Sequence, residues 1–349
     1  MDRIAQIKSV DRKYAELAQA RWDSVAKPLR SFGVLEEMWN RIAAVQRTDM
    51  PNIFNRAVVV MCADNGVVAE GVTQSDNSVT AACAKEIAYG RSNINVLADV
   101  YRAEVIAVDI GIARDISCKG LLNRKICKGT ANIAIGPAMS IDKAVQAIKT
   151  GMDIVGDLSQ KGIKLIVTGE MGIGNTTPTA ALSSVLLGLP PDVVTGRGAG
   201  LSTEGLERKI AVVKRAIKIN SPFSDDGMEL LAKLGSFEIA GMVGLFMGGA
   251  YYGITVVIDG VISAVAAVLA SMIAPLSVDY MLAGHVSAEP AGRGLLDKLG
   301  LRAVIDGELK LGEGTGGILL LPLLDGAAAI YYNSHRFDGL GIERYVELK

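Results

Sequence analysis

Four apolar runs, each meeting an acidic residue near its end, constrain the fold of this chain more than any other feature. The runs are AVVVMCAD, EVIAVD, KLIVTGE and ITVVID, and they end at Asp64, Asp109, Glu170 and Asp259. Helical patterns such as SVTAACAKEIAYG and KAVQAIKTGMDIVGDLSQKG lie between them. Because the runs are continuously apolar, they predict strands buried on both faces. Their alternation with helices predicts an α/β fold with a parallel, doubly wound, Rossmann-like sheet.

The acidic residues that end these runs are the first candidates for function. In such a sheet, ligands bind outside the carboxyl ends of the strands, so Asp64, Asp109, Glu170 and Asp259 should collect at one edge. Carboxylates gathered in a low dielectric disfavour one another's charge unless something offsets them. They could cap the following helices, bind ribose hydroxyls or face a cationic ligand, and the pattern leaves these uses open.

Composition and charge exclude several classes of protein. Half of the 349 residues are hydrophobic and the formal net charge is −1. That balance argues against a disordered chain and against a protein that coats nucleic acid. The charged N-terminus MDRIAQIKSVDRKYAEL lacks an apolar core region and a cleavage site, so we predict no secretory signal and a cytoplasmic location.

The segment at 239–258 is uncharged over the length of a membrane span. It is rich in glycine, and its end ITVVIDG has the pattern of a strand entering a turn. We therefore predict a buried helix followed by a core strand, with no membrane contact. The 4 Cys lack CxxC spacing and the chain has only 2 His, so we expect no zinc site. We expect instead that the cysteines are reduced and mostly buried.

A glycine-rich turn, GEMGIGNTT, follows the third apolar run and leads into a helical pattern. It lacks the Gly-Lys-Ser/Thr ending of a P-loop and the glycine spacing of the dinucleotide fingerprint. Gly172 and Gly174 would let backbone N–H groups approach a ligand closely, and we expect a positive φ at Gly174. A helix N-terminus favours an anion, and Asn175, Thr176 and Thr177 add donors. The alternative is a tight turn that binds nothing.

Two further glycine-rich turns carry candidate ligand-binding residues. TGRGAGLSTEGLERK contributes Arg197 and Lys209, which are counter-charges for an anion or, alternatively, part of a solvated helix face. LKLGEGTGG places Glu313 between Gly312 and Gly314, ahead of a long apolar helix. Together the turns indicate a phosphorylated small molecule beside an acidic patch.

These motifs together resemble the nicotinate mononucleotide:dimethylbenzimidazole phosphoribosyltransferases of cobalamin nucleotide-loop assembly. The resemblance covers nearly the whole chain and includes KPLRSFGVLEEM, ADNGVVAEGV, GEMGIGNTT, GRGAGL, GHVSAEPAGRGLLDKLGL and LGEGTGGILLLPLL. It implies a large α/β domain at 51–324 and a small helical domain formed by 1–50 and 325–349. It also implies a dimer, either of identical chains or of two homologous subunits.

The resemblance implies an enzyme that moves phosphoribose from nicotinate mononucleotide to an aromatic acceptor with inversion, releases nicotinate, and needs neither metal nor cofactor. It assigns Glu313 as the base that takes the acceptor proton, Glu170 a place beside the ribose and the leaving nicotinate, and Lys209 an electrostatic role. The substrate-binding residues that we predict on this basis are Gly172, Ile173, Gly174, Asn175, Thr176, Thr177, Arg197, Gly198, Lys209, Asp259, Gly312, Gly314, Ser75 and Asn77.

The chain departs from the usual pattern of this family in one loop. Many members read GVSAYPQEVT where this chain reads GVTQSDNSVT, so Ser75, Asp76 and Asn77 stand at the Tyr, Pro and Gln positions. Arg30 also replaces a usual Gly. Loss of the aromatic wall fits a branch of the family that activates phenol or p-cresol as a complex of two homologous subunits. It also fits neutral drift, another benzimidazole or purine acceptor, or a weakly catalytic subunit that supports an active paralogue.

Overall fold

The computed structural model describes residues 3–346. Its centre is a six-stranded sheet of order β3-β2-β1-β4-β5-β6, in which every neighbouring pair is parallel. The strands are β1 (Arg56–Ala63), β2 (Glu104–Gly111), β3 (Leu121–Asn123), β4 (Leu165–Met171), β5 (Thr255–Ile258) and β6 (Met281–Ala283). The four predicted strands correspond to β1, β2, β4 and β5, and the predicted parallel α/β class is confirmed.

Helices cover both faces of the sheet. They are α1 (Arg12–Ser24), α2 (Val34–Gln46), α3 (Ser78–Ala88), α4 (Asn93–Tyr101), α5 (Ile141–Gln160), α6 (Thr176–Leu187), α7 (Pro191–Val194), α8 (Thr203–Asn220), α9 (Gly227–Leu234), α10 (Phe237–Tyr252), α11 (Val261–Ile273), α12 (Gly292–Lys298), α13 (Thr315–Ile318), α14 (Leu321–Asn333) and α15 (Phe337–Leu340). Successive side chains of β1 point to opposite faces, so Val59 and Met61 join one hydrophobic core while Val58 and Val60 join the other. This two-sided burial explains the continuous apolar runs in the sequence.

The helices near the two chain ends pack together. The rings of Trp22 and Trp39 lie 4.9 and 5.6 Å from the ring of Tyr331, measured between centroids. These side chains belong to the same hydrophobic core as Val58 and Val60 of the central strand. The terminal helices therefore share a core with one face of the sheet, and the proposed domain division at 1–50, 51–324 and 325–349 stays a prediction.

The segment that resembles a membrane span is part of the interior. Its helical portion lies in α10, which is buried from residue 237 to residue 250, and its end is the buried strand β5, as predicted. Within residues 3–346, the stretch Thr315–Asn333 is long and apolar enough to cross a membrane, but 56% of its most apolar window is buried in the protein. A helix in the core of a globular protein can have the same length and hydropathy as a membrane span.

Two smaller expectations have different outcomes. Arg30, which departs from the family pattern that the sequence resembles, has a φ of 53°, in the region that favours glycine. Among the cysteines only Cys62 is buried, whereas Cys83, Cys118 and Cys127 are half-buried, so the prediction of mostly buried thiols was wrong.

Candidate active site

The strand order creates one crevice at the carboxyl edge of the sheet. The chain runs outward from β1 to β3 and then returns to β4 on the other side of β1, so the loops after β1 and β4 diverge. Ligands bind at such a switch point in open α/β sheets. A cavity of about 310 Å3 opens there, lined by the loops that follow β1, β4, β5 and β6 and by the segment at 309–316.

Two of the four predicted carboxylates reach this cavity. Glu170 in β4 is only 8% exposed, and its Oε2 accepts a hydrogen bond from Asn175 Nδ2. Burial raises the pKa of Glu170 to about 8, and the nearby negative charges of Asp259 and Glu238 add to the effect. The carboxyl is therefore largely protonated at neutral pH without a ligand, and a cation beside it would favour its ionised form.

The other two carboxylates, Asp64 and Asp109, lie at the same carboxyl edge of the sheet but do not line the cavity, and they serve local structure. Asp64 accepts a hydrogen bond from the Ala113 N–H at 2.7 Å, and Asp109 accepts one from the Ile112 N–H at 2.9 Å. Asp109 also lies 3.3 Å from Lys125 Nζ. Both carboxylates stabilise the turn after β2, which lies away from the switch point.

The turn GEMGIGNTT lines one side of the cavity and ends at the N-terminus of α6. Gly174 has the expected positive φ, at 87°, and a Cβ on it would lie 2.7 Å from Val68 Cγ2. The Ile173 N–H donates to Thr80 Oγ1 at 3.1 Å, which fixes the turn against α3. The turn is thus a rigid backbone surface beside a helix N-terminus, which is an arrangement that suits an anion.

The Glu313 turn forms the opposite wall. Gly312, Glu313 and Gly314 have consecutive positive φ values of 88°, 61° and 87°. The Asp259 carboxylate fastens this turn, because it accepts hydrogen bonds from the N–H groups of Gly314 at 3.2 Å and Gly317 at 2.7 Å. Asp259 therefore lines the cavity and also shapes the turn that carries Glu313.

The turn also sits directly on β4. The Glu313 N–H donates to the Glu170 carbonyl oxygen at 3.2 Å, and a Cβ on Gly169 would lie 2.6 Å from the Glu313 carbonyl oxygen. Gly169 thus permits the two catalytic candidates to approach each other. The Glu313 side chain is 9% exposed and its Oε2 has no hydrogen-bond partner within the described chain. Burial raises the pKa of Glu313, the Ile94 N–H acts in the opposite direction, and the Asp259 charge raises it further.

Lys209 lies behind the cavity and not on a solvated helix face. The side chain is fully buried, and its Nζ donates to Thr176 Oγ1 at 2.7 Å and to the Gly196 carbonyl oxygen at 3.1 Å. Burial lowers the pKa of Lys209 to about 8, while Glu289 opposes that shift. Lys209 therefore joins the start of α6 to the turn that carries Arg197, whose guanidinium donates to the Leu201 carbonyl oxygen at 2.8 Å.

The loop that departs from the family pattern borders the same cavity. Thr73, Gln74 and Ser75 line it together with Cys83 of α3. Gln74 Nε2 donates to the Gly200 carbonyl oxygen, which joins this loop to the turn at 196–200. None of the cavity-lining residues in the described part of the chain is Phe, Tyr or Trp.

Most of the predicted site residues are brought together here. Those that line the cavity are Glu313, Glu170, Gly172, Ile173, Gly174, Asn175, Thr176, Arg197, Gly198, Asp259, Gly312 and Ser75. Thr177, Lys209 and Gly314 are buried behind it, and Asn77 stands at the start of α3 outside the lining. Thr177, Lys209 and Gly314 would therefore act on a ligand through the residues in front of them.

Sequence reasoning missed the contribution of the segment after β6. His285, Ser287 and Glu289 line the cavity, and a Cβ on Gly316 would lie 2.1 Å from His285 Cε1. Burial lowers the pKa of His285, although the Asp259 charge opposes that shift, and its Nδ1 has no partner within residues 3–346. The available signal was the motif GHVSAEPAGRGLLDKLGL, which carried the resemblance without a role for any of its residues.

The possible metal ligands among the side chains are scattered. Among residues 3–346, no group of at least 3 His, Cys, Asp or Glu side chains is arranged to hold an ion. Cys83 is the half-buried thiol that lines the cavity, and burial, followed by the charge of Glu313, raises its pKa.

The comparisons with known proteins identify this chain as a phosphoribosyltransferase, that is, an enzyme of the pentosyltransferase class. A family model described as "Phosphoribosyltransferase" matches residues 7–342. More particularly, the chain belongs to the family of nicotinate-nucleotide–dimethylbenzimidazole phosphoribosyltransferases. A protein of that name from Ruminiclostridium cellulolyticum is 43% identical over 346 residues, which cover 99% of this chain and 98% of the relative. One of the same name from Acetivibrio thermocellus is 41% identical and covers 97% of each chain.

Solved structures agree with this assignment. The crystal structure of CobT from Thermus thermophilus superimposes with a TM-score of 0.90 at 39% identity, covering 95% of this chain and 100% of that one. A second structure from the same organism, of a phosphoribosyltransferase named for nicotinate nucleotide and dimethylbenzimidazole, gives a TM-score of 0.89 at 38% identity, covering 96% of this chain and 100% of that one.

Proposed function

We propose that this enzyme transfers phosphoribose from nicotinate mononucleotide to an aromatic lower-ligand base, forming the α-riboside 5′-phosphate and releasing nicotinate. One observation carries the proposal. A single cavity brings the glycine turn at 172–177, the buried carboxyl of Glu170 and the carboxyl of Glu313 to the switch point of the sheet. These are the groups that a phosphate, a cationic sugar and an acidic acceptor proton would require.

The donor fits this cavity by charge. Its 5′-phosphate would lie against the glycine turn and the α6 N-terminus, where backbone dipoles favour an anion. Its pyridinium and C1′ would then face Glu170, whose protonated carboxyl in the free enzyme would ionise beside the cation. Positive charge persists on the ribose as the bond to nicotinate breaks, so an ionised Glu170 would stabilise that transition state more than the neutral form.

Glu313 would serve as the general base. In the reaction, the acceptor forms a new bond to C1′, the bond between C1′ and the nicotinate nitrogen breaks, and nicotinate keeps that electron pair. The acceptor must also lose a proton, which the Glu313 carboxylate would take. Its Oε2 has no competing partner in the described chain, and burial raises its pKa, so the carboxylate is a stronger base than an exposed glutamate.

We infer that the acceptor is either dimethylbenzimidazole, which is named for the relatives, or a phenol such as phenol or p-cresol, and that the polar loop at 73–75 favours the phenolic class. The side chains of Thr73, Gln74 and Ser75 line the cavity where an aromatic wall would support a benzimidazole ring. A phenol is smaller, and polar side chains can contact its hydroxyl. Its pKa is near that of Tyr, about 10, so it would depend strongly on Glu313 as a base.

The same loop supports a second candidate, in which this chain forms a heterodimer with a homologous subunit and contributes little activity alone. A homodimer stays the prediction for a chain that is active by itself. Retention of Glu170, Glu313 and the glycine turn favours the active enzyme over the supporting subunit.

The test is an acceptor panel with nicotinate mononucleotide. Nicotinate release and the mass of the α-riboside phosphate are measured with dimethylbenzimidazole, adenine, phenol and p-cresol, for the chain alone and with any homologue encoded beside it. Product from any of these acceptors supports phosphoribosyl transfer, and a phenolic product supports the acceptor inference. Efficient use of dimethylbenzimidazole without any phenolic product would refute the acceptor inference only. No release of nicotinate under any of these conditions would refute the proposed function.

A further inference from the structure

A buried acid–amide pair lies beneath the glycine turn, outside the cavity lining. Glu238, in the first turn of α10, has no exposed surface, and its Oε1 accepts a hydrogen bond from Asn65 Nδ2 at 2.9 Å. Asn65 follows β1 and is 1% exposed. Glu238 Oε2 and Asn65 Oδ1 are both buried and have no hydrogen-bond partner in the described chain. A buried carboxylate oxygen without a donor is costly, so this group calls for an explanation.

The pair is in direct contact with the turn that we assign to the donor phosphate. A Cβ on Gly172 would lie 2.8 Å from Glu238 Oε1, 3.2 Å from Asn65 Nδ2 and 2.5 Å from the Ala63 carbonyl oxygen. A Cβ on Gly174 would lie 3.7 Å from Asn65 Cβ. Gly172 and Gly174 line the cavity, whereas Asn65 and Glu238 do not, so the turn separates the pair from the ligand.

The ionisable groups that act on Glu238 are acidic. Asp64 after β1 raises its pKa, and the charge of Glu238 in turn raises the pKa values of Glu170 in β4 and Cys62 in β1. Asp109 in β2 is already paired with Lys125 at 3.3 Å. No cation among the described residues forms an ion pair with Glu238.

The remaining elements packed on α10 form no ion pair with Glu238 within the described residues. β5 and α11 carry no ionisable side chain. On α5 the half-buried Lys143 donates to Cys127 Sγ at 3.3 Å, and the 3-10 helix Pro275–Tyr280 contributes Asp279 and Tyr280. The hydrogen bond from Asn65 favours the charged form of Glu238, and the nearby Ser236 side chain and N-terminal backbone of α10 lower its pKa in the same direction.

We propose that Glu238 is a positioning residue for the donor-phosphate turn, that its neutral carboxyl supports the conformation that binds the anion, and that its ionisation weakens donor binding. The inference rests on the proposed function, because it assigns the turn at 172–174 to the phosphate. The physical reason is charge. An unpaired carboxylate directly behind Gly172 repels an anion bound in front of it, and the intervening backbone is too thin to screen the interaction.

The sign of the pH dependence follows from the site. Burial raises the pKa of Glu238 to about 7, so the carboxyl is neutral at lower pH and becomes charged as the pH rises through that value. Donor affinity should therefore fall across neutral pH. Lys209 loses its proton near pH 8 and Glu170 ionises near the same pH, and both changes would weaken anion binding. Comparison with a variant that cannot ionise at position 238 separates these effects from that of Glu238.

Sulfate is the probe, because it does not titrate in this range and needs no turnover. Its dissociation constant is measured by calorimetry between about pH 6 and about pH 8 for the wild type and for Glu238→Gln, whose amide oxygen can still accept from Asn65. Between these pH values, we expect the sulfate dissociation constant of the wild type to rise by about three-fold or more. In Glu238→Gln it should rise by less than half the factor seen in the wild type. The KM for nicotinate mononucleotide should follow the same pattern.

Glu36→Gln is the matched control, since Glu36 is also buried but belongs to the terminal helices, where it pairs with Lys27 at 2.6 Å. That variant should keep the wild-type pH profile. Equal profiles for the wild type and Glu238→Gln would overturn the inference. If Glu238→Gln does not fold, the wild type alone decides, because a sulfate constant that is flat from about pH 6 to about pH 7.5 would refute ionisation behind the turn. Absence of turnover with any acceptor would instead count against the proposed function.

Discussion

Replacement of Glu313 by Gln isolates the proposed general base. The two side chains have nearly the same shape, and the positive φ of 61° at this position is no harder for Gln than for Glu. The backbone contacts that hold the turn are retained, including the hydrogen bond from the Glu313 N–H to the Glu170 carbonyl oxygen. Because Glu313 Oε2 has no partner in the described chain, the amide breaks no hydrogen bond at that atom.

The loss should therefore be confined to the chemical step. General base catalysis contributes about 10²–10⁴-fold, so the barrier should rise by roughly 2.7–5.4 kcal/mol at about 1.36 kcal/mol for each factor of ten. The glycine turn and Glu170 remain intact, so binding of nicotinate mononucleotide should change by less than about two-fold. The prediction is a large fall in kcat with an almost unchanged donor dissociation constant.

The assay combines steady-state nicotinate release with calorimetric binding of nicotinate mononucleotide. Glu308→Gln is a matched control, because Glu308 lies in the same loop and also has a positive φ, of 54°, but is exposed and outside the cavity. It should keep kcat within about two-fold of the wild type. If Glu313→Gln retains more than roughly a third of the wild-type rate, Glu313 is not the base.

Three other predictions test separate parts of the site. Gly174→Val should raise the donor KM more than the acceptor KM, because the new side chain obstructs the turn. Gly188 has a comparable positive φ and open space around it, so Gly188→Val should strain the backbone without that selectivity. Equal losses for both substrates in Gly174→Val would contradict the phosphate assignment. The double change Ser75→Tyr and Asn77→Gln should shift the ratio of kcat/KM toward benzimidazoles, and an unchanged ratio in the acceptor panel would separate this loop from acceptor choice. The pKa of Glu170 is about 8 in the folded protein and near 4.5 in the unfolded chain, so the free energy of unfolding should fall as the pH rises between these values. Denaturant titrations should show a smaller fall for Glu170→Gln. An identical dependence of the unfolding free energy on pH in both proteins would contradict the raised pKa.

Local sequence patterns were informative for long elements and for turns. The apolar runs predicted β1, β2, β4 and β5 because a strand buried on both faces requires apolar side chains at successive positions. β3 and β6 span only 3 residues each, which is too short for any periodicity to appear. The positive φ at Gly174 was also predictable, since a turn between a strand and a helix often needs that backbone conformation.

The composition of the site was less predictable. Asp64 and Asp109 end apolar runs just as Glu170 and Asp259 do, yet their carboxylates fold back on the turn after β2. Which strand ends flank the crevice depends on strand order, and no single run encodes that order. His285 was missed for a related reason, because it follows a strand that the sequence did not reveal and reaches the cavity only through the position of β6 at the sheet edge.

The sequence by itself determined the α/β class, the positions of the glycine turns and, through the combination of its motifs, the family. Each of these depends on residues that are close together in the chain, where side-chain periodicity and backbone freedom act directly. Only the tertiary structure decided that Glu313 approaches Glu170, that Lys209 is buried under the start of α6, and that Glu238 lies behind Gly172. Those relations join residues far apart in sequence, and burial, charge and pKa arise from the packing that brings them together.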